Sequence, residues 1–156
     1  MVLCMQSKNY YIKQIKTTYF FAALAAFLIG IAIYVFYRNI DNLVLFRYFP
    51  KPSFLASLSL LHGTDTIGGY LFVFTLPHGL WCISGLFVIR AIWLHNTKWR
   101  AIYGVIFIIV VSSLEISQLS ENRPGTFDIL DLSSYFISAF LESIVFNIFV
   151  KRRIIK

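Results

Sequence analysis

Six side chains in this sequence have types and spacings that could do chemistry together: His78, Glu115, Gln118, Arg123, Asp128 and Asp131. Glu115 and Gln118 are three residues apart, so on a helix they share a face. Asp128 and Asp131 repeat that spacing just beyond the stretch that holds Arg123 and Gly125. Carboxylates are favoured at a helix start, where unpaired N–H groups and the helix dipole attract negative charge. A carboxylate such as Glu115 or Asp131 could act as a general base while Arg123 holds an anionic group. The same residues could instead form a structural network, with Glu115 paired to Arg123, Gln118 bonded to a loop carbonyl, and Asp128 or Asp131 capping a helix. No serine, histidine and acid stand at a recognisable nucleophile–base spacing, so no catalytic residue is assigned and the pattern favours binding over catalysis. Metal-ligand spacing is also missing, and no cofactor is implied.

The elements that must position these residues follow from composition. The chain has 156 residues, of which 58% are apolar, 18% aromatic and only 13% charged, against about 25% charged in a soluble domain. A single domain of this size cannot hide so much apolar surface, so lipid must solvate the rest. Uncharged stretches then place spans at about 17–37, 77–94, 99–119 and 129–150. The first is 21 residues without a charge, close to the roughly 20 that cross a hydrocarbon core as a helix. It reads as an anchor and not a cleavable signal. Pro77 favours a second helix beginning there, because proline suits a first turn. On that reading His78 is a first-turn polar residue. The alternative begins at Thr66 and runs through Pro77 with a kink. Between the first two spans, Pro50 and Pro52 break any helix, Gly63, Gly68 and Gly69 mark a loop, and the short apolar runs suit an interfacial or re-entrant segment. The expected fold is therefore an all-α membrane protein, a bundle of about four transmembrane helices.

Charge placement supplies an orientation. The formal charge is +7, yet the basic residues do not gather as a nucleic-acid footprint. Lys8, Lys13 and Lys16, then Lys98 and Arg100, then Lys151, Arg152, Arg153 and Lys156 occupy short segments free of acids. Lys/Arg-rich short loops stay in the cytoplasm, which puts both termini and the 95–100 turn inside. Glu115, Gln118, Arg123, Asp128, Asp131 and His78 then share the outer rim. One acid and one base remain within the spans. Glu142 falls near mid-membrane, and Arg90 lies near the inner end of the second span with a stem long enough to reach along the helix. An Arg90–Glu142 pair tying the second and fourth helices is the expectation, since intramembrane charge must be paired or hydrated. Cys4 and Cys82 suit two free thiols.

The motif Glu115-Ile-Ser-Gln118, a loop with Arg123, then Phe127-Asp128-Ile-Leu-Asp131 entering a last apolar helix resembles the VanZ-like family of small bacterial membrane proteins. Where many relatives carry asparagine and glycine after the last aspartate, this chain has Tyr135 and Ser138. His78 stands where part of the family has an acid. The resemblance implies a bacterial inner-membrane location and action at the outer face. Envelope lipid, a glycan precursor or an amphiphilic antibiotic would then be the partner, besides the bilayer itself. A transport or channel subunit, or a structural partner of a larger membrane complex, is the alternative.

Overall fold

The computed structural model describes residues 2–37, 66–120 and 127–151. It contains four helices long and apolar enough to cross a membrane, and the described residues include no strand. The protein is an all-α, multi-pass membrane bundle. Helix α1 spans Val2–Tyr37, α2 Ile67–Ile92, α3 Thr97–Ser117 and α4 Ile129–Val145, which continues into a π-helical turn at Phe146–Lys151.

Helix α1 extends back through the basic segment to Val2, and so runs well beyond the stretch 17–37. At about 1.5 Å per residue it exceeds a hydrocarbon core of about 30 Å, so its first turns, with Lys8, Lys13 and Lys16, project past the apolar layer.

The second helix departs most from the sequence expectation. It starts at Ile67 after a Thr66 cap and runs through Pro77, as in the alternative reading and not the favoured one, and Gly68 and Gly69 lie in its first turn instead of a loop. Thr66 caps it: its backbone is extended and its side-chain oxygen accepts from the Gly69 N–H at 3.1 Å. Glycine's poor helix propensity is outweighed here, because backbone left unpaired against lipid is far more costly. Pro77 is accommodated by a π-helical stretch at Leu71–Thr75, in which the Leu76 N–H bonds back to the Leu71 carbonyl. The wider turn relieves the collision between a mid-helix proline ring and the preceding turn. His78 is thus an interior helical residue. The 38–65 part of the expected re-entrant region lies outside the described residues.

Asparagine and aspartate set the next two helix starts. Asn96, extended at φ −114°, accepts from the Trp99 N–H and opens α3. Asp128, at φ −130°, accepts from the Leu130 N–H at 2.8 Å and opens α4.

Helix α2 is the hub, packing against α1, α3 and α4. On α1, Tyr19, Ala23, Ala26, Gly30 and Ile33 form the buried stripe. Its small residues let the backbones approach closely, the main route to helix association where lipid removes the hydrophobic drive. The Ser84 hydroxyl of α2 reaches the Ala23 carbonyl at 2.8 Å. At Gly30 a Cβ would stand 2.6 Å from the Trp81 indole nitrogen. Trp81 is itself held against Tyr34 and His78. Gly30→Ala is therefore expected to lower the unfolding midpoint in detergent, by an overpacking cost of about 1–3 kcal/mol. Thermal unfolding followed by tryptophan fluorescence checks this.

Helix α4 has its polarity turned inward. Its buried residues are Asp131, Ser134, Tyr135, Ser138 and Glu142, at helical spacing, while Ile129, Phe136, Ile137 and Phe140 face outward. Seen against a soluble amphipathic helix, the apolar side meets the solvent, here lipid. Helix α3 is the most lipid-exposed of the four spans, and its one buried residue is Glu115.

Candidate functional site

The polar side chains gather where α3 ends and α4 begins, beside the first half of α2. Glu115 organises one half of the cluster and is 3% exposed. Its Oε1 accepts from the Asp128 N–H at 3.1 Å, and its Oε2 lies 3.4 Å from the Gln118 amide nitrogen and 3.5 Å from the Tyr135 hydroxyl. One carboxylate thereby joins the last turn of α3 to the first residue before α4. The neighbouring Asp128 divides its own oxygens. One caps α4, and the other accepts from the Tyr70 hydroxyl, which reaches across from α2.

The other half is the contact between α2 and α4. His78 Nδ1 lies 3.0 Å from Asp131 Oδ2 and 2.8 Å from the Phe74 carbonyl. Both neighbours are acceptors when Asp131 is ionised, so Nδ1 carries a proton in that state. Its Phe74 partner lies in the π-helical stretch, so the irregular backbone helps aim the ring. Edge-on packing against Trp81, with 5.7 Å between centroids, fixes the other side of the imidazole. Asp131 is 6% exposed, and its second oxygen, Oδ1, is buried with no hydrogen-bond partner among the described residues. The Thr75 hydroxyl, one turn before His78, is likewise buried and unpartnered.

Below the cluster, hydroxyls stitch α4 together and to α2. Ser134 donates to the Asp131 carbonyl at 2.7 Å and Ser138 to the Gly79 carbonyl at 2.8 Å. At the far end of the stripe, Arg90 meets Glu142 through two nitrogens on two oxygens, both residues being buried. Such a forked contact is the strongest form of charged hydrogen bond.

The structure brings His78, Glu115, Gln118, Asp128 and Asp131 to one end of the bundle, and it joins Arg90 to Glu142 at the other. Arg123 lies outside the described residues, as does any pairing of it with Glu115. Gln118 bonds Glu115, and any bond of it to a carbonyl of the 121–126 loop lies outside the described residues. Asp128, and not Asp131, is the cap. Cys82 is a buried free thiol that packs with Leu86 and Tyr135. Tyr70 and Tyr135 also belong to the cluster and went unrecognised in the sequence. Tyr135 had a signal, being four residues after Asp131 and so on its face. Tyr70 was hidden by a helix start placed at Pro77.

Among the described residues, no three His, Cys, Asp or Glu side chains are grouped to hold a metal ion. What the arrangement offers is a buried carboxylate, oriented by an imidazole, with one oxygen uncommitted among the described residues. Compared with known proteins, the chain matches no family model, no curated protein and no solved structure.

Proposed function

We propose that this protein sits in the bacterial cytoplasmic membrane with both termini inside, and binds the polar head of an amphiphile at its outer face. The head would belong to an envelope lipid, a glycan precursor or an amphiphilic antibiotic. One observation carries the reading: Asp131 Oδ1 is buried in the carboxylate that meets His78 and has no hydrogen-bond partner among the described residues. A buried acceptor without a donor costs about 1–3 kcal/mol, and a ligand hydroxyl, amide or ammonium group supplies the missing donor. The His78 contact orients the carboxylate and leaves the second oxygen for that group.

Charge distribution supports the orientation. Lys13, Lys16, Lys98 and Arg100 lie at the end opposite Glu115, Asp128 and Asp131, and basic residues mark the cytoplasmic side. The motif resemblance to the VanZ-like family supports the location and the class of ligand. A conducting path along α4 fits less well. The Ser134 and Ser138 hydroxyls are spent on carbonyls, and Glu142 is held by Arg90.

The test sets Asp131→Asn and His78→Gln beside an alanine series at Glu115, Arg123 and Asp128, scoring membrane abundance and envelope-stress or glycopeptide tolerance together. Asp131→Asn is expected to keep normal abundance and lose the phenotype, because the amide preserves volume while removing the charge that His78 and the ligand share. A phenotype that falls only as far as abundance does would assign the whole cluster to folding.

A further inference from the structure

The end of the bundle opposite this cluster has a charge imbalance of its own. Arg90 and Arg100 both lie over the Phe146 ring, with guanidinium carbons 3.9 and 4.3 Å from its centroid. Two guanidinium groups thus share one aromatic platform, and one carboxylate, Glu142, serves them. Both oxygens of Glu142 are taken by Arg90. Arg100 makes no ion pair among the described residues, and the other described acids are at the far end of the helices. Beside this group, the Tyr19 hydroxyl is buried with no hydrogen-bond partner among the described residues. It lies within electrostatic reach of Arg90, Glu142 and Arg100. Lys16 is one turn from Tyr19 on α1, and Lys98 is two residues from Arg100.

We propose that this end carries a binding site for the phosphate of an anionic phospholipid, with Arg100 as the principal ligand and Tyr19 as a second donor. A phosphodiester brings the single negative charge that two guanidiniums and one carboxylate lack. Arg100's planar fork matches two phosphate oxygens, and stacking on Phe146 holds the fork in place. The depth suits a lipid. Trp93 stacks on Tyr103 at 5.3 Å and lies 6.0 Å from Trp99, an aromatic group at the joint of α2 and α3. Tryptophan and tyrosine mark the headgroup level of a bilayer. Basic pockets between helices at that level take anionic headgroups.

The experiment is native mass spectrometry of the full chain in detergent with equimolar phosphatidylglycerol and phosphatidylcholine. The wild type is expected to retain phosphatidylglycerol preferentially. Arg100→Gln should reduce the preference about fivefold, the share of one basic residue near a membrane surface. Tyr19→Phe should reduce it less, and Phe146→Leu should weaken it by freeing the fork. Excess inorganic phosphate should leave the bound lipid in place. Equal retention of the two lipids by the wild type overturns the proposal, as does a preference unchanged in both Arg100→Gln and Phe146→Leu. Complete displacement by inorganic phosphate overturns the lipid assignment in favour of a free anion. Should Arg100→Gln not yield folded protein, Phe146→Leu decides the comparison alone.

Discussion

Glu142→Ala is expected to be the most damaging single substitution in the described helices. It strips the buried Arg90 guanidinium of both its oxygen partners and leaves a positive charge over Phe146 with Arg100 close by. Breaking a buried ion pair from one side costs about 3–5 kcal/mol, most of it the burden of the charge left behind. Folded protein recovered from membranes, measured by monodisperse size-exclusion yield, should fall steeply. Arg90→Met should behave likewise, through an unpaired Glu142. The pair can be separated from its two members by combination. Arg90→Met with Glu142→Leu removes both charges at similar volume and should recover much of the loss, as apolar replacement of buried pairs does. The exchanged pair, Arg90→Glu with Glu142→Arg, should recover part. If neither double variant improves on the singles, the contact is not what joins α2 to α4.

Glu115→Ala is expected to follow closely, for a different reason. Helix α3 buries one residue, and that residue is a carboxylate. Removing it orphans the Asp128 N–H and withdraws the partner of Gln118 and Tyr135. At about 1–3 kcal/mol for a buried donor left unsatisfied, the joint between α3 and α4 loses its fastening. Glu115→Gln retains a carbonyl oxygen for the Asp128 N–H and should lose much less. The gap between the two variants is the informative quantity, read as the difference in thermal midpoint in detergent. Equal midpoints would mean that the hydrogen bond to Asp128 does not hold the joint. Asp131→Asn provides the contrast, with stability near wild type.

How much of this was legible depended on which force governed each segment. The starts of α3 and α4 could be read closely because Asn96 and Asp128 act within their own turn, and capping is local chemistry. Depth along a straight helix is also simple arithmetic. Eleven residues separate Asp131 from Glu142, three turns apart on one face, which is why the reach from Arg90 to Glu142 could be anticipated. The start of α2 could not be read that way. Proline at a first turn and glycines in a loop are rules learned in water, and in the membrane the need to pair every backbone group overrode both. With Pro77 mistaken for a beginning, Tyr70 was placed outside the helix that brings it to the cluster. The inward stripe of α4 was missed for a subtler reason. Ser134, Tyr135 and Ser138 are each unremarkable alone, and only their common spacing with the two acids marks the face that meets α2.

That stripe bears on how the chain is made. The membrane-crossing stretch of α4 is the least apolar of the four, and that of α1 the most. An acid within a lone helix carries a cost at the insertion machinery, about 2.5–3.5 kcal/mol at the helix centre and less toward an end. Arg90 places the opposite charge in the last turn of α2, which leaves the ribosome first. Synthesis therefore passes through an interval in which α2 waits beside α1 with an uncompensated cation, until residue 142 emerges. A nascent chain cut short within that interval would present quality-control proteases with the very charge that the finished bundle conceals.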